Sequence, residues 1–122
     1  MSYTYSFEKL QVWQDARLLV KNLYRVTEQL PETEKYGLTS QMRRASVSII
    51  SNIAEGSGRT SAKDQAHFYQ LAFSSLIELL NQLIIAKDLE YIQQDDLIQL
   101  RSAIEMISNK LNALRKSRFL KE

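Results

Sequence analysis

The sequence predicts an all-α protein, an antiparallel up-down-up-down four-helix bundle. Three observations carry this expectation. Apolar residues recur in alternating steps of three and four over four separate segments, the spacing of a helix–helix seam. The connectors between segments are short, which makes successive helices antiparallel neighbours. With three Gly and one Pro in 122 residues, the chain has little room for hairpins or long loops. That length suits one domain, 1–122, with one core.

The first helix is expected over 8–30. Trp13, Ala16, Val20, Leu23, Thr27 and Leu30 form its seam, and Val12, Leu19 and Val26 widen it. Trp13 reads as a core anchor, with a ligand-stacking role as the lesser alternative. Pro31 ends the helix, because it donates no amide hydrogen and restricts the residue before it. Arg17, Lys21 and Arg25 lie four apart on another flank, either as a solvated face with Glu28 as a partial counterion or as a ridge for phosphates.

The second helix is expected over 39–55, capped by the hydroxyl of Thr39 or Ser40 and ended by Gly56 in a left-handed conformation. Its apolar arc holds Leu38, Met42, Val47, Ile49, Ile50, Ile53 and Ala54, wide enough for more than one neighbour. Arg43 falls inside that arc and must snorkel or find a partner. The other arc reads Gln41, Arg44, Ser48, Ser51, Asn52 and Glu55. A free solvent face more often carries long charged side chains. Three readings stand: a solvated face, a tie from Ser48, Asn52 and Glu55 to the next loop, or a subunit or ligand surface. Glu55 lies at the helix end that disfavours a carboxylate, so it needs a partner such as Arg59. Gly56 to Thr60 reads as a tight turn, because neither a Gly-Lys-Ser/Thr nor a Gly-x-Gly-x-x-Gly phosphate pattern is present.

The third helix is expected over 62–89, with Ser61 and Asp64 as a capping pair. Tyr69, Ala72, Leu76, Leu79, Leu83 and Ala86 form its seam, broadened by Phe68, Phe73, Leu80 and Ile84. Leu71 and Ile85 flank Glu78 on the opposite side, which suggests a second packed face and hence an oligomer. His67, the one histidine, reads as a surface or interface residue. The fourth helix is expected over 94–116, with Leu97, Leu100, Ile104, Ile107, Leu111 and Leu114 as its seam. Asp95 and Asp96 suit its start. Lys110, Arg115, Lys116, Arg118 and Lys121 crowd its end, around Phe119 and Leu120. The helix dipole alone favours cations there, and basic residues beside an aromatic also suit a nucleic-acid or acidic partner.

The formal net charge is +2, a mild bias, so any polyanion reading rests on where the charges lie. No cysteine is present, which excludes disulfides, thiol nucleophiles and zinc–thiolate sites. One histidine outside any Glu-x-x-His motif gives no support for a di-iron bundle. The expectation is a non-enzyme with no cofactor and no metal. Residues 1–6 carry no basic, apolar leader pattern, and no apolar run nears the roughly 20 residues of a membrane span, so a cytoplasmic location away from membranes is expected.

Tyr36-Gly37-Leu38-Thr39-Ser40-Gln41-Met42-Arg43-Arg44-Ala45, followed by Ser48-Ile49-Ile50-Ser51-Asn52-Ile53-Ala54-Glu55-Gly56, resembles the signature of a family of small four-helix bundles. These were first noticed as products of intervening sequences in bacterial 23S ribosomal RNA genes, and are related to the accessory variability proteins of diversity-generating retroelements. The similarity extends through Phe7, Leu10, Val12-Trp13, Ala16, Pro31 and Glu34 upstream, and Arg59, Ser61, Leu71-Ala72, Ser74-Ser75-Leu76, Glu78 and Tyr91 downstream. It implies a left-handed antiparallel bundle that assembles into a ring, typically a homopentamer. The retroelement relatives bind a reverse transcriptase and nucleic acid through a basic surface. One departure is the turn between the third and fourth helices, which tends to hold Gly in the family and here reads Leu89-Glu90-Tyr91.

The function expected is a non-catalytic ring-forming bundle that associates with RNA, DNA or a nucleoprotein complex. Arg17, Lys21, Arg25, Arg43, Arg44, Arg59, Arg115, Lys116 and Arg118 are its candidate phosphate contacts. Ser48, Ser51, Asn52, Glu55, Gly56, Leu71, Glu78 and Ile85 are its candidate motif and interface residues. The alternative is a protein–protein adaptor without nucleic-acid binding.

Overall fold

Leu10 is extended, at φ −76° and ψ 127°, and sets the start of the first helix, α1 (Gln11–Thr27). The computed structural model describes residues 2–120, except for the side chain of Phe119, so the expected contribution of Phe119 and Lys121 to a basic tail lies outside the described residues. Three more helices follow: α2 (Leu38–Ser57), α3 (Ala62–Asp88) and α4 (Gln94–Leu120). Each packs on its sequence neighbours, and α1 closes the square against α4. No strand occurs among the described residues. The chain is an up-down-up-down four-helix bundle, as the seams predict.

The core follows those seams closely in α3, where Tyr69, Ala72, Leu76, Leu79, Leu83 and Ala86 are all fully buried. In α4, Leu100, Ile104, Ile107 and Leu111 are buried. By length and composition alone α3 could cross a bilayer, with a mean hydropathy of 1.3, which corrects the expectation that no segment nears that length. Its apolar line is the spine of the core. In α1 the buried line is Val12, Ala16, Leu19, Leu23, Val26 and Leu30. Of the expected seam, Ala16, Leu23, Thr27 and Leu30 are buried while Trp13 and Val20 are half-buried, so the core is centred towards the Val12, Leu19 and Val26 line. Trp13 packs against the core from its edge and is not fully buried in it. In α2, Val47 is 40% exposed, against its expected place in the apolar arc, while Ala45 and Ser46 are buried instead. Ser46 Oγ satisfies itself by donating to Arg43 O at 2.8 Å.

Helix ends correct several boundaries. Before α1, a 3₁₀ turn occupies Ser6–Lys9, where Glu8 Oε2 accepts from the Tyr5 amide at 2.7 Å. After Thr27 the chain tightens into i→i+3 turns that lead into Pro31, which shortens the expected 8–30 helix at both ends. Neither Thr39 nor Ser40 caps α2. Glu34 Oε1 accepts from the Leu38 amide at 3.0 Å instead, and a Cβ on Gly37 would meet that oxygen at 2.7 Å. Glu34 Oε2 accepts from the Tyr91 hydroxyl at 3.1 Å, so one carboxylate ties the start of α2 to the α3–α4 turn. That bond holds the Tyr91 phenol above its ordinary pKa. Ser61 Oγ caps α3 by accepting from the Asp64 amide at 3.0 Å, as expected.

Gly56 does not end α2 and has no positive φ. It is buried within the helix, and a Cβ there would meet Tyr69 Cε1 at 2.8 Å. The left-handed residue is in the other turn. Glu90, at φ 64°, closes α3, with the Tyr91 amide donating to Ala86 O and the Glu90 amide to Lys87 O, both at 2.9 Å. This is the Schellman arrangement with Glu where Gly is usual.

Candidate nucleic-acid interface

The nine candidate phosphate contacts fall into two groups. Arg17, Lys21, Arg25, Arg43 and Arg44 lie on α1 and α2. Arg59, Arg115, Lys116 and Arg118 lie where the α2–α3 turn meets the end of α4.

On α1, Arg17, Lys21 and Arg25 are exposed, and the Arg17 guanidinium sits 5.5 Å from the Trp13 ring centre. Arg43 resolves its place in the apolar arc by snorkelling across to α1. Its Nε donates to Thr27 Oγ1 at 2.9 Å, one terminal nitrogen to Tyr24 O at 3.3 Å, and its plane lies 4.6 Å from the Tyr24 ring centre. Arg44 is exposed. The acids of these two helices are Asp15 and Glu55. Asp15 pairs with Lys110 of α4, and Glu55 pairs with Arg59 at 3.6 Å, as its position at the helix end required. Arg17, Lys21, Arg25 and Arg43 of the α1–α2 surface therefore have no carboxylate counterpart within those two helices, Glu28 standing just past the end of α1, while Arg44 is exposed one turn before Ser48, towards the α3 side.

In the second group, Arg59 lies 4.3 Å from the Phe68 ring centre and Arg115 lies 5.5 Å from that of Phe73. Arg118 stands beside the buried Tyr69 phenol. Burial pushes that phenol's pKa up, and the Arg118 charge and hydrogen bond pull it part of the way back. Among the described residues, Arg115 Nε and Arg118 Nε are buried without a hydrogen-bond partner. Lys63, His67, Gln70 and Arg115 line a shallow depression of about 260 Å³ between α3 and α4.

The candidate interface residues share the α2–α3 side, and of the expected loop tie only Glu55 makes it, through Arg59, whereas Ser48 and Asn52 do not reach the loop. Ser48 Oγ and Ser75 Oγ are 2.9 Å apart, and Asn52 Nδ2 donates to Ser48 O and Ser48 Oγ at 2.9 and 3.1 Å. These small polar groups zip α2 to α3, where the helices approach through Ser rather than through long side chains. Ser51 is exposed beside them. Leu71 (38%) and Ile85 (41%) are exposed on α3, with Glu78 accepting from Gln82 Nε2. Gln82 is 6% exposed and its Oε1 has no partner among the described residues.

Sequence reasoning missed an aromatic series at the amino-terminal end. Tyr3 and Tyr5 are 4.8 Å apart edge-on, Tyr5 and Phe7 are stacked at 6.2 Å, and Phe7 is 5.0 Å from Trp13. The signal was present as Tyr-Thr-Tyr-Ser-Phe, aromatics alternating as they do in an extended segment.

The family model of the 23S rRNA-intervening sequence proteins matches residues 8–113. Among solved structures, the chain is similar to a protein of unknown function from the S23 ribosomal protein family of Bacteroides thetaiotaomicron. The two share 20% identity at a TM-score of 0.80, over 86% of this chain and 98% of the other, a likeness of fold. No curated protein matches the chain.

Proposed function

From the premise that the chain belongs to the 23S rRNA-intervening sequence protein family, we propose that it is a non-catalytic bundle that forms a ring with its own copies and associates with RNA or a nucleoprotein complex. The observation that carries this reading is the α1–α2 surface. It holds Arg17, Lys21, Arg25 and Arg43, with Arg44 exposed on the neighbouring face of α2, while the acids of both helices are engaged elsewhere, Asp15 with Lys110 and Glu55 with Arg59. Such a surface attracts a polyanion although the net charge is only +2. The α2–α3 side supports the ring: Leu71 and Ile85 give it exposed apolar area, and the small Ser51 stands open beside the Ser48–Asn52 pair that holds α2 to α3. A fivefold ring would raise the assembly to about +10 and add avidity. The retroelement side of the resemblance makes a reverse transcriptase the first protein partner to try.

An electrophoretic shift titration with a structured RNA across a salt series tests this. Binding should weaken steeply with salt, and Arg17→Ala with Arg25→Ala and Arg44→Ala should lower the log–log slope by about one per cation removed. No shift at low salt would overturn the reading and favour the adaptor.

A further inference from the structure

The aromatic series and the arginines belong to one strip. Trp13 and Tyr24 are eleven residues apart on α1, which places them about 16 Å apart along the axis and within about 20° of the same direction. Arg17 lies between them over Trp13, and Arg43 crosses from α2 to lie over Tyr24. At the Trp13 end the strip continues through Phe7 to Tyr5 and Tyr3, which are 59% and 76% exposed. Rings thus alternate with guanidinium groups over the length of α1. Burial of a core cannot explain Tyr3 and Tyr5, which are open to solvent.

We propose that this strip is a track for single-stranded nucleic acid, with bases stacking on Tyr3, Tyr5 and Tyr24 and phosphates meeting Arg17 and Arg43. The proposal rests on the nucleic-acid reading above and names which form of nucleic acid this surface takes. Two arguments select the occupant. Cations without carboxylates on their own helices call for a polyanion, and exposed rings call for planar groups with free faces. A duplex keeps its base faces stacked inside, so only an unpaired strand offers both at once. Tyr3 and Tyr5 also precede the 8–113 segment that matches the family model.

The chain has one tryptophan, so its fluorescence reports on the track alone. Full-length protein is titrated with a labelled oligo(U) strand and with a blunt RNA hairpin whose stem is closed by a compact, self-stacked tetraloop, following label anisotropy and Trp13 emission. Oligo(U) should bind and change Trp13 emission. Tyr3→Ala with Tyr5→Ala should weaken oligo(U) on the order of 5–100-fold while leaving the hairpin and the solution mass unchanged. Tyr3→Phe with Tyr5→Phe should bind as the native chain does, because stacking needs the ring and not the hydroxyl. Hairpin binding without oligo(U) binding overturns the track and leaves the broader reading standing. Oligo(U) binding that the alanine pair does not weaken, or that leaves Trp13 emission unchanged, also overturns it. So does a change of mass in the alanine pair, which would make the ladder a subunit contact. Binding of neither probe ends both readings.

Discussion

Gly56 shows how a residue can be conspicuous in sequence while its role is decided elsewhere. Its place after an apolar run suggested a helix stop, but the helix continues to Ser57, and Gly56 is there because Tyr69 of α3 lies against it. Tyr69 is fully buried and has nowhere to move. In an ordinary helix interior, Gly→Ala stabilises by roughly 0.5–1 kcal/mol. Here the added methyl would meet Tyr69 Cε1 at 2.8 Å and Phe68 Cβ at 3.1 Å. Gly56→Ala should therefore destabilise by about 1–3 kcal/mol, read as a lower urea midpoint with an unchanged slope. A higher midpoint would mean that α2 and α3 are less tightly apposed than this. Arg43 is the opposite case: its place in an apolar arc already demanded a partner, and only the identity of that partner, Thr27 and the Tyr24 ring and carbonyl, needed the fold.

At the level of elements, the seams were legible because three-four spacing is a local property. Roll and ends were not, because they depend on neighbours. Val12 and Trp13 are adjacent and both apolar, so α1 carries two overlapping seams, and contact with both α2 and α4 selects the Val12 line. The start of α2 is fixed by Glu34, four residues before Leu38, rather than by the nearby hydroxyls. The α3–α4 turn was the one place where the sequence departed from the usual glycine, and the structure keeps the left-handed geometry with Glu90 at φ 64°. A side chain there costs roughly 1–2 kcal/mol in backbone energy, partly offset because glycine has more freedom to lose on folding. Glu90→Gly should gain about 0.5–1 kcal/mol and raise the melting temperature by about 1–4 °C in a chain of this size. A fall in melting temperature would show that the Glu90 side chain makes a contact worth more than the strain.

For the whole molecule, charge is sorted by end. The end with the α1–α2 and α3–α4 turns carries Glu28, Glu32, Glu34, Asp88, Glu90, Asp95 and Asp96 against Arg25, Lys35 and Lys87. The other end carries Lys9, Arg59, Lys63, Lys110, Arg115, Lys116 and Arg118 against Glu8, Asp15, Glu55 and Asp64. A net charge of +2 hides this separation, and sequence alone could name the cations but not sort them into ends and faces. In a ring of parallel subunits the two ends become an acidic rim and a basic rim, so assembly multiplies a local field instead of averaging it away. The α2–α3 side tests whether assembly is what the molecule uses. Leu71→Asp with Ile85→Asp places two carboxylates on positions that are already part-exposed in the single subunit, so the bundle itself should lose little stability. In a subunit contact the same carboxylates would be buried unpaired, which strongly disfavours association. The solution mass should then fall to one 14.2 kDa chain. RNA affinity should fall with it by more than the two added charges explain, although every arginine is still in place, because avidity is lost. If the native protein already sediments at 14.2 kDa, the ring is excluded, and the α1–α2 cations must account for any polyanion binding by themselves.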